Sequence, residues 1–259
     1  MWNKGRVLII VTGASRGLGQ AVSVQLCQAC EIPPTVILMS RTLNDLEITK
    51  KLCKEAKTGA YIQVQKVDLA TADKEHFEKA FENTDVYKYD SLVLVHNAGS
   101  LGNQGTKIVD FNDVQEMQNY YRLNVFSVML LNSVVMKKVS NLRSMKKLIV
   151  NISSLGALQP FETWGSYCSG KAARDSLFKV MAVEEPNWNI LNYAPGPLNT
   201  KMIDDLLSDG NTHSNIKNAF EDMKDKNQLL DPMESARRLI DILGKPFKSG
   251  DHIDYFDQL

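Results

Sequence analysis

The chain has 259 residues, of which 44% are hydrophobic and 23% are charged, and these are ordinary values for a globular protein. Lysine and arginine together number 30, and aspartate and glutamate also number 30, so the formal net charge is zero. A neutral chain gives no electrostatic reason to expect nucleic acid or a membrane surface as its main partner. We therefore expect neither partner.

The N-terminal apolar run is too short to act as an export signal or a membrane anchor. It comprises only "RVLIIV", and no other run approaches the ~18 apolar residues of a membrane span. The four cysteines include Cys27 and Cys30, whose spacing suggests a redox pair or half of a metal site. No second pair follows, and both lie in an apolar helical pattern, so buried free thiols are the preferred interpretation. We expect a cytoplasmic protein without a metal site.

Short apolar runs alternate with longer amphipathic segments along the chain. The runs predict strands at 6–11, 35–40, 61–67, 91–99, 147–154 and 189–196. Helical spacing predicts helices at 18–30, 43–57, 72–84, 112–139 and 165–183. This alternation, with nearly continuous apolar strands, is typical of a parallel sheet covered by helices on both faces. The prediction is an α/β protein with one doubly wound Rossmann-type domain over residues 1–259.

Two further segments follow the last predicted strand. Residues 201–243 are helical and rather polar, with interruptions at "SDGNTHSN" and "LLDP", and predict a small helical insertion on the substrate side of the sheet. Residues 247–259 form a polar tail.

A glycine-rich loop, "VTGASRGLG" (11–19), joins the first strand to the first helix. Glycine permits a tight turn and close backbone approach, and the helix N-terminus presents free N–H groups to a phosphate. The loop therefore predicts a dinucleotide-binding site. Its expected cofactor contacts are Gly13, Ser15, Arg16, Gly17, Leu18 and Gly19.

The end of the second strand indicates which dinucleotide binds. NAD requires a carboxylate there, whereas this chain has Ser40, Arg41 and Thr42. Arg41 and Arg16 together suit the 2′-phosphate of NADP, because guanidinium groups make charge-assisted contacts with phosphate. The alternative is that both are solvated surface arginines. NADP(H) is the predicted cofactor.

Several short motifs occur in a fixed order after that loop. They are "VDLA" with Asp68, "NAG" at 97–99, Asn124 in "RLNV", Ser154 after the fifth strand, Tyr167-x-x-x-Lys171, and "PGPLNT" at 195–200. Each is weak alone, since a tyrosine and a lysine one helical turn apart are common on surfaces. The ordered set, from about residue 6 to 202, resembles the short-chain dehydrogenase/reductase family.

This resemblance implies a set of roles. The catalytic residues would be Ser154, Tyr167, Lys171 and Asn124, with Tyr167 donating a proton, Ser154 holding the substrate oxygen and Asn124 supporting a water relay. Lys171 would lower the pKa of the Tyr167 phenol, which is ordinarily about 10. Further cofactor contacts would be Arg41, Thr42, Asp68, Leu69, Asn97, Lys171, Leu198, Thr200 and Met202.

A narrower resemblance joins the chain to the pterin-reducing branch of that family, which completes tetrahydrobiopterin synthesis. It rests on "NAGSLG", "NISSLGALQPFETWGSYCSGKAARD", "EEPNWNILNYAPGPLNT" and "FKSGDHIDYFD". It implies a cytosolic homodimer that uses NADPH to reduce side-chain carbonyls of a pterin. The substrate contacts would be Ser154, Leu155, Tyr167, Gly196 and Asp254, the last of them anchoring the pterin from the tail at 247–259.

Some alternatives stay open from the sequence. Asp257 competes with Asp254 as the anchor, and Phe161, Trp164 and Met202 are either apolar walls of the site or ordinary packing. The substrate is a pterin or another ketone or dicarbonyl, since fold does not fix substrate. A non-catalytic NADP-binding scaffold is the third reading. The predicted helix at 112–139 is more apolar than one amphipathic face requires, which also favours a homodimer.

Overall fold

The computed structural model describes residues 1–258 and has a seven-stranded sheet at its centre. The strands are β1 (Val7–Thr12), β2 (Thr35–Ser40), β3 (Tyr61–Lys66), β4 (Ser91–His96), β5 (Lys146–Ile152), β6 (Trp188–Ala194) and β7 (His252–Asp254). Their order is β3-β2-β1-β4-β5-β6-β7, and every neighbouring pair is parallel. All six residues of β1 and of β4 are buried, as expected for central strands covered on both faces.

Nine α-helices accompany the strands in the described residues. They are α1 (Gly17–Ala29), α2 (Leu43–Ala56), α3 (Lys74–Ala80), α4 (Val114–Tyr121), α5 (Ser127–Lys138), α6 (Gly165–Glu184), α7 (Lys201–Ser208), α8 (Ser214–Asp225) and α9 (Pro232–Leu243). One core contains side chains from α1, α2 and α9, and the core on the opposite face contains side chains from α3, α5 and α6. The doubly wound α/β prediction is confirmed.

The predicted helix at 112–139 differs in its centre from a regular α-helix. A π-helical turn at Arg122–Phe126 separates α4 from α5 and contains Asn124. Such a turn inserts a wider backbone loop into an α-helix and often occurs at functional sites. Periodicity alone did not reveal it, because the apolar residues continue through the turn.

The small helical insertion that the sequence predicted at 201–243 included one helix that belongs to the main fold. Only α7 and α8 are an addition to the sheet-covering helices, because α9 packs against α1 and buries Ala236, Leu239 and Ile242 in the sheet core. The tail also differs from a simple polar segment, since His252–Asp254 pair with β6 as the edge strand.

Strand order reverses between β1 and β4, whose carboxyl ends meet. In open α/β sheets a ligand crevice forms at this switch point. The segments that follow the carboxyl ends of β1, β4, β5, β6 and β7 therefore share one edge of the sheet. Among residues 1–258, no helix has the length and apolar character that crossing a membrane requires.

Candidate active site

The glycine loop lies at the switch point and is fixed by the residues that directly follow β4. Thr12 Oγ1 accepts hydrogen bonds from the backbone N–H groups of Asn97 (3.1 Å) and Ala98 (3.2 Å). The Asn97 side chain donates to the carbonyls of Thr12 and Gly13, at 3.0 Å each. Asn97, predicted as a cofactor contact, therefore supports the loop through its side chain.

The loop requires glycine for steric reasons. Gly13 has φ of +64°, and a Cβ there would lie 2.8 Å from Asn97 Nδ2 and 2.9 Å from Ala98 Cα. A Cβ on Gly19 would overlap the Gly13 carbonyl oxygen. Gly17 also has positive φ, +55°, and faces Thr200. These positions leave a backbone cradle that side chains would fill.

The donors around this cradle suit a dinucleotide phosphate. No side chain caps the N-terminus of α1, and no acidic residue lies in its first turn, so N–H groups and a positive dipole end face outward. Arg16 and Arg41 are exposed, and neither forms an ion pair or a side-chain hydrogen bond with the described residues. Ser40 Oγ accepts from the Thr42 N–H at 3.2 Å and fixes the turn that carries Arg41. The donor set therefore fits a phosphorylated dinucleotide.

The remaining predicted cofactor contacts follow β3 on one side of the site and β6 on the other. Asp68 is exposed, with its carboxylate accepting from the Ala70 N–H at 3.0 Å, whereas the Leu69 side chain is buried in the sheet core. On the other side, Thr200 approaches Gly17, since a Cβ on that glycine would lie 3.3 Å from Thr200 Cγ2. Leu198 pairs with Leu230 as an isolated bridge. The Leu198–Thr200 segment therefore lies beside the glycine loop.

Ser154 and Tyr167 come together after β5. The Ser154 side chain begins a short 3-10 turn and accepts from the Gly156 N–H at 3.1 Å. A Cβ on Gly156 would lie 3.1 Å from the Tyr167 ring and 3.4 Å from Ser154 Oγ, so a glycine permits this approach. Burial raises the pKa of Tyr167 above its ordinary value, and hydrogen bonding with the Ser154 hydroxyl opposes that rise. Leu155, a predicted substrate contact, is exposed next to this pair.

Lys171 is buried one turn along α6 from Tyr167. Its Nζ donates to the Ile152 carbonyl at 2.8 Å and lies 5.7 Å from the centroid of the Tyr167 ring. Burial and, second, the charge of Arg174 hold the pKa of Lys171 well below its ordinary value. The expected lowering of the Tyr167 pKa by Lys171 is not found in this geometry. Burial raises that pKa, and the charge of Arg174 opposes the rise only as a minor contribution.

Asn124 is buried in the π-helical turn and contacts the loop after β4. Its Oδ1 accepts from the Ser100 N–H at 2.9 Å, and its Nδ2 donates to the Tyr120 carbonyl at 2.9 Å. Neither bond reaches Lys171. Asn124 is thus close to the predicted site, although no described hydrogen bond connects it with the lysine.

The tail contributes Asp254 at the carboxyl end of β7. Asp254 Oδ1 accepts from the Phe256 N–H at 3.0 Å, while Asp257 Oδ2 accepts from the Asp254 N–H at 2.8 Å. Gly196 packs against the same tail, because a Cβ there would lie 3.5 Å from the Phe256 ring. Asp254 is half-buried and Asp257 is exposed. Both carboxylates stabilise one turn at the edge of the crevice.

Aromatic side chains cover the predicted site. Trp164 is 5% exposed, packs edge-on against Tyr167 with centroids 5.0 Å apart, and stacks on Phe220 of α8 at 6.1 Å. Phe161 packs edge-on against Trp164, whereas Met202 remains exposed. Leu206 of α7 belongs to the same buried cluster as Trp164 and Tyr167, so α7 and α8 cover the tyrosine together with Trp164.

Sequence reasoning missed a buried polar cluster beneath Lys171. Arg174 donates to Asn151 Oδ1 at 2.8 Å and to the His96 carbonyl at 2.6 Å. Asp175 accepts from His252 Nδ1 at 2.6 Å and is 3% exposed. The available signal was a pair of charges three and four residues after Lys171, on the helix face that continues with the apolar Phe178 and Met181.

Comparison with known proteins identifies relatives of this arrangement. The sequence profile of the family described as short chain dehydrogenase matches residues 7–211. A sepiapterin reductase from Xenopus tropicalis is 36% identical, over 98% of this chain and 97% of that protein. A benzil reductase ((S)-benzoin forming) from Bacillus subtilis (strain 168) is 30% identical, over 94% of this chain and 96% of that protein.

Solved structures agree at the level of the fold. The crystal structure of the KRED1-Pglu enzyme superposes with a TM-score of 0.81 at 27% identity, covering 95% of this chain and 99% of that one. These matches extend over nearly the whole chain, including the glycine loop, the parallel sheet and the ordered motifs. The chain belongs to the short-chain dehydrogenase family and is therefore an oxidoreductase.

Proposed function

We propose that this oxidoreductase is an NADPH-dependent carbonyl reductase that acts on the side-chain keto group of a pterin, such as sepiapterin or 6-pyruvoyl-tetrahydropterin. The observation that carries the proposal is the placement of the Ser154 and Tyr167 hydroxyls side by side beneath an aromatic lid, at the sheet edge where Asp254 also lies. The identity with sepiapterin reductases over nearly the full chain supports the pterin assignment.

The cofactor assignment rests on the donors of this chain. Gly13, Gly17 and Gly19 allow the backbone to approach a pyrophosphate, and the uncapped α1 N-terminus presents N–H groups to it. Arg16 and Arg41 would bind the 2′-phosphate that distinguishes NADPH from NADH. When bound, NADPH supplies the hydride.

The chain itself must then hold the carbonyl and deliver a proton. Ser154 donates a hydrogen bond to the substrate oxygen, and Tyr167 donates both a hydrogen bond and the proton that the oxygen gains. Burial raises the pKa of Tyr167 above its ordinary value of about 10, so the phenol is protonated at neutral pH and carries the proton that the oxygen gains. Lys171 would bind the nicotinamide ribose of the cofactor, and Asn124 would support the water relay.

The substrate assignment rests on the mouth of the crevice. Leu155, directly after Ser154, is 42% exposed, and Phe256, beside Gly196, is 66% exposed, so apolar surface that suits a flat heteroaromatic ring lies next to two predicted substrate contacts. Asp254 offers a carboxylate that can accept paired N–H groups at the polar edge of a pterin. Its half-buried position favours it over the exposed Asp257.

A second candidate is a reductase of small or aromatic dicarbonyls. The similarity to the Bacillus subtilis benzil reductase favours it, because a diketone needs Ser154 and Tyr167 and does not need the tail carboxylate.

The experiment that separates the two candidates measures NADPH oxidation with sepiapterin, diacetyl and benzil. The variants are Asp254→Asn and, as the matched control, Asp257→Asn. In each, the amide oxygen still accepts the backbone hydrogen bond of the tail turn and only the charge is lost. We expect Asp254→Asn to lower kcat/KM for sepiapterin about 10- to 100-fold, the value of a charge-assisted hydrogen bond, with little change for diacetyl.

The Asp257→Asn control shows whether a loss of activity in Asp254→Asn is specific to that residue. Asp257→Asn should leave both substrates almost unaffected. Equal losses for both substrates in Asp254→Asn would make that residue structural. A wild-type protein that reduces benzil or diacetyl and not sepiapterin would establish the second candidate.

The proposed active form is a cytosolic homodimer. Four apolar side chains expose between 44% and 82% of their surface: Phe126 at the end of the π-helical turn, Met129 on α5, and Val180 and Val183 on α6. Apolar side chains exposed together on neighbouring helices are typical of an interface. Sedimentation equilibrium at micromolar concentration should give twice the 29.0 kDa mass of the chain, and a monomer would contradict the assignment.

A further inference from the structure

Asp254, the proposed substrate anchor, lies on a short strand at the edge of the sheet. β7 has only three residues and lies at the edge of the sheet, where β6 is its one neighbour. Strands usually have about five or six residues, so a three-residue strand has few side chains with which to specify its register. Backbone hydrogen bonds continue the pairing on either side of β7, from the Gly250 N–H to the Ile190 carbonyl and from the Tyr255 N–H to the Ala194 carbonyl, both at 2.8 Å. Backbone bonds alone do not distinguish this register from a shifted one, so the side chains of β7 must specify it.

One side chain of β7 forms such a contact with the helix that carries Tyr167. His252 Nδ1 lies 2.6 Å from Asp175 Oδ2, and the two side chains are 8% and 4% exposed. Because a carboxylate only accepts, the imidazole N–H donates. Within residues 1–258, this is the one hydrogen bond between a β7 side chain and α6, and the second ring nitrogen, His252 Nε2, has no hydrogen-bond partner there.

The Asp175 end of this contact is held rigidly. Asp175 Oδ1 accepts from Ser153 Oγ at 2.6 Å and from Asn151 Nδ2 at 3.1 Å, both at the carboxyl end of β5. Asn151 Oδ1 accepts from Arg174 Nε at 2.8 Å. A buried carboxylate with several donors keeps its place, because leaving any of those groups unpaired costs free energy. Asp175 is thus a fixed point one turn beyond Lys171.

Side-chain alternation connects this fixed point to Asp254. In a strand, residues i and i+2 face the same side of the sheet. Ile253 packs in the core with α1 and α9, and His252 contacts α6 on the other face, so Asp254 also faces the α6 side. A slip of one residue would direct Asp254 to the wrong face and bring Ile253 against Asp175.

We propose that the buried His252–Asp175 contact is a register lock that fixes β7 on the Tyr167 helix and so holds the Asp254 carboxylate on the substrate side. His252 and Asp175 are positioning residues, because they act on the substrate through Asp254. The substrate part of this inference rests on the proposed pterin function, whereas the register part does not.

The test compares His252→Ala with His252→Asn in the NADPH-bound enzyme. Alanine removes the donor, whereas the asparagine amide offers an N–H at nearly the position of Nδ1. We expect His252→Ala to raise KM for sepiapterin about tenfold, with kcat and the kcat/KM for diacetyl nearly unchanged, and His252→Asn to restore most of the loss. Asp251→Asn is the charge control, since its carboxylate forms no hydrogen bond or ion pair with the described residues.

Amide hydrogen exchange provides a readout that is independent of substrate. The Tyr255 N–H donates to the Ala194 carbonyl at 2.8 Å, immediately after β7. Its exchange should accelerate at least about tenfold in His252→Ala and stay near wild type in His252→Asn. Unchanged exchange in His252→Ala, or equal losses for both substrates without rescue by His252→Asn, would overturn the register lock. If wild type does not reduce sepiapterin, the pterin function fails, and the exchange contrast still decides the lock.

Discussion

Replacing Gly13 by alanine tests whether the glycine loop is as sterically constrained as the structure indicates. The new Cβ would lie 2.8 Å from Asn97 Nδ2 and 2.9 Å from Ala98 Cα, inside ordinary van der Waals contact. The backbone φ of +64° adds a penalty of about 1–2 kcal/mol for a residue with a Cβ. Overpacking against a fixed backbone typically costs about 1–3 kcal/mol. The free energy of unfolding should therefore fall by about 2–5 kcal/mol.

For a domain of this size, that loss lowers Tm by roughly 4–20 °C. The assay is thermal unfolding by circular dichroism, together with NADPH titration by fluorescence. Gly210→Ala is the matched control, because no atom lies within 4 Å of the added Cβ. A Gly13→Ala protein whose Tm and NADPH affinity equal those of Gly210→Ala would refute the steric reasoning.

Two further predictions concern charge. Arg41→Ala should weaken NADPH binding about 10- to 100-fold and NADH binding little, and equal weakening of both would remove the 2′-phosphate assignment. Burial and, second, the charge of Arg174 lower the pKa of His96 to about 3. The neutral imidazole therefore contributes its full stabilisation above the unfolded pKa of about 6.5, and this stabilisation is lost as the pH falls toward 3. The free energy of unfolding, measured in urea between pH 7 and pH 4, should fall by at most about 1.4 kcal/mol per pH unit from this group. His96→Asn should make the free energy of unfolding depend less on pH, and an equal dependence in both proteins would contradict the prediction.

The central strands were predictable because burial on both faces leaves a plain signal. "TVILMS" is β2 at the predicted bounds, Thr35–Ser40, and the first glycine loop follows β1 as expected. The short edge strand β7 was not predictable, since three residues of alternating polarity resemble a loop. The role of α9 was misread because its segment is polar on average, although Ala236, Leu239 and Ile242 form a stripe that reaches the core.

The candidate site was likewise predictable from the sequence only in part. The Tyr167-to-Lys171 spacing fixes a shared helix face, so those residues could be placed from the sequence. The direction of the Lys171 ammonium could not, because it depends on the Ile152 carbonyl of another element. The network of Arg174, Asp175 and His252 joins residues 77 positions apart in the chain, a contact that only folding creates.

The claim that Tyr167 protonates the substrate oxygen is tested most directly by Tyr167→Phe. The phenyl ring retains the packing against Trp164 and only the hydroxyl is lost. Turnover of sepiapterin or diacetyl with NADPH should fall at least about 100-fold, the lower range for a general acid, while the dissociation constant for NADPH stays near that of wild type. Turnover close to wild type, with the protein folded and NADPH bound, would contradict the assignment and mean that another group donates the proton.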